Sequence, residues 1–215
     1  MTTKKLNRAV SIDQLERMKF NELPFEGEWR ALVGEPEISG SWLIWGNSGN
    51  GKTRFALQLC KYLAQFCRVA YNSLEEGASK SMKKAFKEVG MSEVKRRVIL
   101  LDNEPIEELK ERLRKRRSPD VVVIDSVQYS GMNYKDYTAL RRDFTNKLFI
   151  LISHADGKNP AGRTAKSIRY DAFVKVWVEG HRAFALSRYG GGEHYDVWPE
   201  AAANYYGENL TPQQS

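Results

Sequence analysis

The chain has 215 residues, is 28% charged and 41% hydrophobic, and carries a formal net charge of +7, a length that suits one domain with a full core. Two cysteines, Cys60 and Cys67, exclude a disulfide-rich miniprotein, no run of 18 apolar residues exists to span a membrane, and Met1 to Phe20 lacks the apolar stretch of a signal peptide. The expectation is a soluble, basic protein of a reducing, cytoplasmic compartment, with no membrane partner and a charge that suits some anion.

Residues 1–37 read as an N-terminal arm. Ser11-Ile12-Asp13-Gln14 has the form of a capping box, with Ile12, Leu15 and Met18 on one face of a short helix. Residues 38–206 form the expected core. An apolar strand at 42–45 enters a glycine-rich turn, and 53–66 has helical spacing through Phe55, Leu59, Leu63 and Phe66. A second strand spans 68–73, a basic helix 80–89 and a third strand 98–101. The charged helix at 106–117 has the apolar seam Ile106, Leu109 and Leu113. Residues 121–124 are apolar throughout, the mark of a strand buried on both faces. A helix at 137–146 and a fifth strand at 148–152 follow. This alternation predicts a parallel sheet with right-handed crossovers and helices on both faces. After Tyr170 the rhythm changes: runs at 173–178, 183–187 and 195–198 are joined by Glu179-Gly180-His181 and by Gly190-Gly191-Gly192, so the sheet is expected to end in antiparallel strands. Residues 207–215 read as a tail.

Gly46-Asn47-Ser48-Gly49-Asn50-Gly51-Lys52-Thr53 fits the phosphate-binding loop pattern G-x-x-x-x-G-K-[ST]. Glycines let backbone amides converge on phosphate oxygens, Lys52 reaches the outer phosphates, and the Thr53 hydroxyl suits Mg²⁺. The helix that follows would point its positive end at the same anion. Val121 to Asp125 is the complementary strand, delivering the Asp125 carboxylate to the carboxyl edge of the sheet near the metal. The second strand ends at Ser73-Leu74-Glu75-Glu76, where Glu75, with Glu76 as runner-up, is placed to polarise an attacking water. The fifth strand ends at Ser153-His154, and His154 is a candidate γ-phosphate sensor.

Together these pieces resemble the RecA-like ATPases, a family that includes the recombinases and the DnaB-type helicases. The resemblance rests on the loop at 46–53, Ser73-Leu74-Glu75, Val123-Ile124-Asp125-Ser126 and Ile152-Ser153-His154, and spans residues 38–200. It implies a three-layer α/β sandwich, ATP and Mg²⁺ as ligands, and a homo-oligomeric ring or filament. It also gives Glu75 the water-activating role and His154 the sensing role. Two segments match family loops that face DNA, 126–136 and 155–169. The second carries Lys158, Arg163, Lys166 and Arg169, which suit a single-stranded DNA backbone. The resemblance further gives Arg188 a role at a neighbour's γ-phosphate, although Leu186 stands where DnaB-like proteins carry a lysine. The implied function is a DNA-stimulated ATPase of recombination, repair or replication, of the compact kind found in phages. A nucleotide-dependent regulatory switch and a small-molecule kinase remain alternatives.

Other clusters read as structural. The run Lys110 to Arg117 shares its helix with Glu107, Glu108 and Glu111, the pattern of a solvated face. Trp42, Trp45, Trp177 and Trp198 read as core residues on strands, and Cys60 and Cys67 as reduced packing residues.

Overall fold

The computed structural model describes residues 9–207. Helix α1 (Ile12–Glu16) opens on the expected capping box, with Gln14 N donating to Ser11 Oγ at 3.2 Å and Ser11 N donating to Gln14 Oε1 at 3.1 Å. Its apolar residues are not buried: Ile12, Leu15 and Met18 all stand exposed. Helix α2 (Gly27–Val33) was not legible in the sequence, being short and lacking a side-chain cap. It nevertheless buries Leu32 and Val33, which join Leu23 and Phe25 in the main core.

The sheet contains β1 (Gly40–Gly46), β2 (Val69–Ser73), β3 (Val98–Asp102), β4 (Val121–Asp125) and β5 (Leu148–Asp156), all parallel. A short β6 (Asn159–Pro160) folds back on β5 as a hairpin. Then β7 (Val174–Glu179) runs parallel to β1, while β8 (Arg182–Ser187) and β9 (His194–Asp196) close the sheet antiparallel. The order is β3-β2-β4-β5-β1-β7-β8-β9, and its antiparallel end is the one that the change of rhythm after Tyr170 predicts.

Strand alternation divides the core in two. Trp42, Ile44, Val121, Val123, Leu148 and Ile150 face one side, while Leu43, Trp45, Val122, Ile124, Phe149 and Leu151 face the other. Helix α3 (Lys52–Leu63) covers the first face through Phe55, Leu59 and Leu63, and α4 (Lys80–Val89) adds Met82. The second face is covered by α5 (Ile106–Arg114), α6 (Tyr134–Asp143) and α7 (Arg163–Asp171). The chain therefore leaves β1 on one face and leaves β4 and β5 on the other. In an open α/β sheet such a change of side opens a crevice at the carboxyl ends of the strands.

Two expectations need correction. The segment 155–169 is not one loop: β5 continues to Asp156, β6 forms its hairpin, and α7 begins at Arg163. A C-terminal helix, α8 (Pro199–Tyr206), ends at Gly207; the tail expected at 207–215 lies, beyond that glycine, outside the described residues. Trp198 belongs neither to β9 nor to the core; it precedes α8 and is 44% exposed.

Candidate functional site

Strand register brings the residues singled out by sequence to one edge. Gly46 lies beside His154, Ser73 beside Asp125, and Asp125 beside Ile152. The turn after β2 is clamped to β4, since Leu74 N and Glu75 N both donate to the Asp125 carbonyl, at 2.6 and 3.2 Å. A cavity of ≈ 600 Å³ results, with Asn47, Ser48, Gly49, Gly51, Lys52 and Thr53 of the loop and with Glu75, Asp125 and His154 in its wall; Gly46 and Asn50 do not line it.

The loop between β1 and α3 carries glycine where its backbone or a close neighbour requires it. Gly49 and Gly51 take φ of +79° and +94°, a region costly for residues with a Cβ. Gly46 is glycine for another reason: a Cβ there would stand 2.1 Å from the Val178 carbonyl oxygen of β7. Asn50 Oδ1 accepts a hydrogen bond from Gly180 N at 2.7 Å, tying the loop to the β7–β8 turn. The first amides of α3 face the loop without intrahelical partners, which favours an anion there. Lys52 Nζ donates to the Asn47 carbonyl at 2.9 Å. Burial lowers the Lys52 pKa, partly offset by the Asp125 and Glu75 charges.

Asp125 is the buried acid of the site. Burial pushes its pKa up to about 6, opposed by the Tyr71 hydroxyl and reinforced by Glu75. Tyr71 is fully buried on β2 and donates its O–H to Asp125 Oδ2. Glu75 and His154 meet directly, Oε2 to Nε2 at 2.9 Å. Gln128 steadies the end of β5: its amide nitrogen donates to Ser153 Oγ and to the Ala161 carbonyl, at 2.8 and 2.9 Å, and its oxygen accepts from His154 N at 3.3 Å.

No protein-family model matches the sequence, and no curated protein does. Solved structures are similar at low identity. A KaiC-like protein of the hyperthermophilic archaeon Pyrococcus horikoshii OT3 is 18% identical with a TM-score of 0.56, over 83% of this chain and 93% of its own. The flagellar accessory protein FlaH of Methanocaldococcus jannaschii is 15% identical with a TM-score of 0.54, over 82% and 94%. The chain has a RecA-like P-loop fold.

In this RecA-like arrangement the basic residues selected for DNA lie on the β5–β6 hairpin and α7. Lys158 and Arg163 are exposed. Lys158 Nζ lies 5.8 Å from the Trp177 ring centroid. Lys166 pairs with Asp156 at 3.2 Å, and Arg169 donates to Asn159 Oδ1 at 2.6 Å while lying 5.0 Å from the Trp45 ring centroid. A groove of ≈ 520 Å³ runs past Lys166, Arg169, Lys175 and the exposed Tyr170. Arg188 is not brought to the cavity of its own chain. Its amide bonds the Phe173 carbonyl, whose own amide bonds Ser41 at the opposite end of β1, and its guanidinium lies 4.7 Å from the Phe173 ring centroid.

Four residues of the site were missed by sequence reasoning: Tyr71, Gln128, Arg54 and Trp198. Arg54 follows the loop directly and lines the cavity with Trp198. The signal for Tyr71 was a polar tip inside an otherwise buried strand. Most of the charged run from Lys110 to Arg117 is exposed as expected, but Lys110 is largely covered; Lys110 pairs with Glu107 and Arg112 with Glu104. Cys60 and Cys67 are free and buried, and burial raises both thiol pKa values.

Proposed function

We propose that this protein is a Mg²⁺-dependent ATPase, stimulated by single-stranded DNA, that works in recombination, repair or replication as a homo-oligomeric ring or filament. The observation that carries the reading is the convergence of the 46–53 loop, Glu75, Asp125 and His154 on one cavity of ≈ 600 Å³. The residues there suit the ligands. A desolvated lysine and a helix N-terminus suit phosphates. The Thr53 hydroxyl and the Asp125 carboxylate offer hard oxygen donors. Among the described residues no group of three or more His, Cys, Asp or Glu side chains forms a metal cage. That suits Mg²⁺, which binds through one or two carboxylates together with substrate phosphates.

When bound, Mg²⁺ neutralises phosphate charge and polarises the terminal phosphoryl group. Loop amides and Lys52 hold the phosphates, Thr53 and Asp125 hold the metal, and Tyr71 fixes the Asp125 carboxylate. Glu75 accepts a proton from water as the water oxygen bonds to the γ-phosphorus. The bond from phosphorus to the bridging oxygen breaks, and ADP leaves with phosphate. The hydrogen bond between Glu75 and His154 ties this carboxylate to the residue that leads into the β5–β6 hairpin. A γ-phosphate and a strand of DNA on Lys158, Arg163, Lys166 and Arg169 would then act on the same histidine. Arg188, distant from its own cavity, serves a neighbouring subunit.

FlaH is named an accessory protein, which favours as second reading a nucleotide-dependent regulator of a protein partner. An ATPase assay with Mg²⁺, run with and without single-stranded DNA at low salt, separates the two. Stimulation supports the first reading. Turnover unmoved by DNA, with no DNA binding, overturns it in favour of the second.

A further inference from the structure

Trp198 is the most exposed of the five tryptophans, at 44%, and it stands on the wall of the cavity that holds the phosphate-binding loop. An indole left half in water beside a buried core is an apolar surface without a cover. Its position is nonetheless fixed. Trp198 N and Val197 N both donate to the His181 carbonyl, at 3.3 and 2.9 Å, and Pro199 starts α8 immediately after it. The His181 ring lies edge-on to the indole, with centroids 5.7 Å apart and planes at 74°. The turn that carries His181 is held on both sides. Gly180 N bonds Asn50 of the loop, and a Cβ on Gly180 would stand 2.2 Å from the Tyr205 ring of α8. Loop, turn and indole therefore form one connected unit.

Arg54 supplies the other half. It follows Thr53, and its guanidinium carbon lies 5.2 Å from the Trp198 ring centroid. Its ion pair to Glu88 is long at 3.8 Å, and its Nε is buried without a hydrogen-bond partner among the described residues. The head group is thus held loosely, against an aromatic face, one residue beyond the phosphate site.

The geometry points to Trp198, with Arg54, as the platform on which the base of a purine nucleoside triphosphate stacks. This inference rests on the phosphate-site reading above and extends it to the other end of the ligand. The cavity is continuous from Lys52 and Thr53 to Trp198, so a ligand anchored by its phosphates at the loop has its planar, π-bearing end at the indole. Stacking on tryptophan reads the area of a ring more than its edge, so it favours purine over pyrimidine and leaves adenine and guanine weakly distinguished.

The test uses the full chain and two probes, ATP and inorganic tripolyphosphate, with affinities measured by calorimetry. Trp198→Ala is expected to weaken ATP about 10- to 100-fold, the range for loss of one base stack, and to leave tripolyphosphate within about twofold. The preference for ATP over CTP shrinks in the same variant. Trp198→Phe keeps most of the ATP affinity but removes the quenching of tryptophan fluorescence that ATP, and not tripolyphosphate, produces. Equal loss of ATP and tripolyphosphate, no loss of either, or quenching that persists in Trp198→Phe overturns the base platform alone. Wild-type protein that binds neither probe overturns the phosphate site itself, and the platform with it.

Discussion

Burial raises the Asp125 carboxyl from 3.8 to about 6 because the pocket around it, though it offers the Tyr71 hydroxyl, removes water from the charge. The folded chain therefore holds this proton more tightly than the unfolded chain. Below the unfolded value both states are protonated and the group costs nothing. As pH rises through about 6 the folded state has to carry a desolvated charge, a cost on the order of 3 kcal/mol. Asp125→Asn keeps an oxygen for Tyr71 and removes the charge. Without nucleotide or metal, this variant is expected to be more stable than the parent at pH 8. The gain should shrink towards pH 4, as urea midpoints at the two values would show. A gain independent of pH would deny that burial of charge is its source. Glu75 is partly exposed and pairs with His154. Glu75→Gln is expected to lower ATP turnover about 10²- to 10⁴-fold, the usual range for a lost general base, with ATP affinity changed only a few-fold. Normal turnover in that variant would remove Glu75 from the reaction.

The β5–β6 hairpin and α7 form the element that joins the cavity to the basic groove. Lys158 and Arg163 are exposed and have no ion pair among the described residues, whereas Lys166, also exposed, and the half-buried Arg169 already have partners in Asp156 and Asn159. Removing the exposed pair by Lys158→Ala with Arg163→Ala should therefore weaken DNA binding without disturbing the helix. The slope of log affinity against log salt is expected to fall by about 0.7 for each phosphate of single-stranded DNA that the variant no longer neutralises. An unchanged slope would place the DNA elsewhere. The same element shows where sequence reading stops. Strands β1, β4 and β5 were legible because burial on both faces leaves an unbroken apolar run. Helix α7 was not, because Arg163–Asp171 turns only Ala165 and Ile168 into the core and surrounds them with polar residues. Helix α8 did carry a signal, a proline at its first turn before an acid and three alanines. In the site, the residues on the loop and strand ends were legible because their chemistry follows a local pattern. Trp198 and Arg54 were not, since their meeting depends on a turn 130 residues from the loop folding back to bond Asn50.

At the scale of the whole molecule, the position of Arg188 sets the condition for its proposed role. It sits beside Phe173 and Ser41, at the end of the sheet opposite Gly46. Five residue steps along the strand separate Ser41 from Gly46, roughly 17 Å at the usual rise, more than an arginine side chain spans. Within one chain Arg188 cannot touch the γ-phosphate, so any part it plays in hydrolysis requires a second copy whose cavity meets this edge. The exposed apolar side chains of Ile12, Leu15, Met18 and Phe20 are a further surface that a lone chain leaves in water. Two inactive variants then test the arrangement together. Lys52→Ala damages a chain's own phosphate site and keeps its Arg188, while Arg188→Ala keeps the phosphate site and withholds the arginine from its neighbour. Each alone is expected to lose most ATPase activity, with Arg188→Ala still binding ATP. Mixed in equal amounts, they form interfaces in which an intact cavity meets an intact Arg188, and part of the activity returns. Association should follow the same logic, with ATP shifting sedimentation of the parent chain towards larger species. If the mixture stays as inactive as its components while each variant still assembles, Arg188 acts on no neighbour, and the arginine is a surface residue stacked on Phe173.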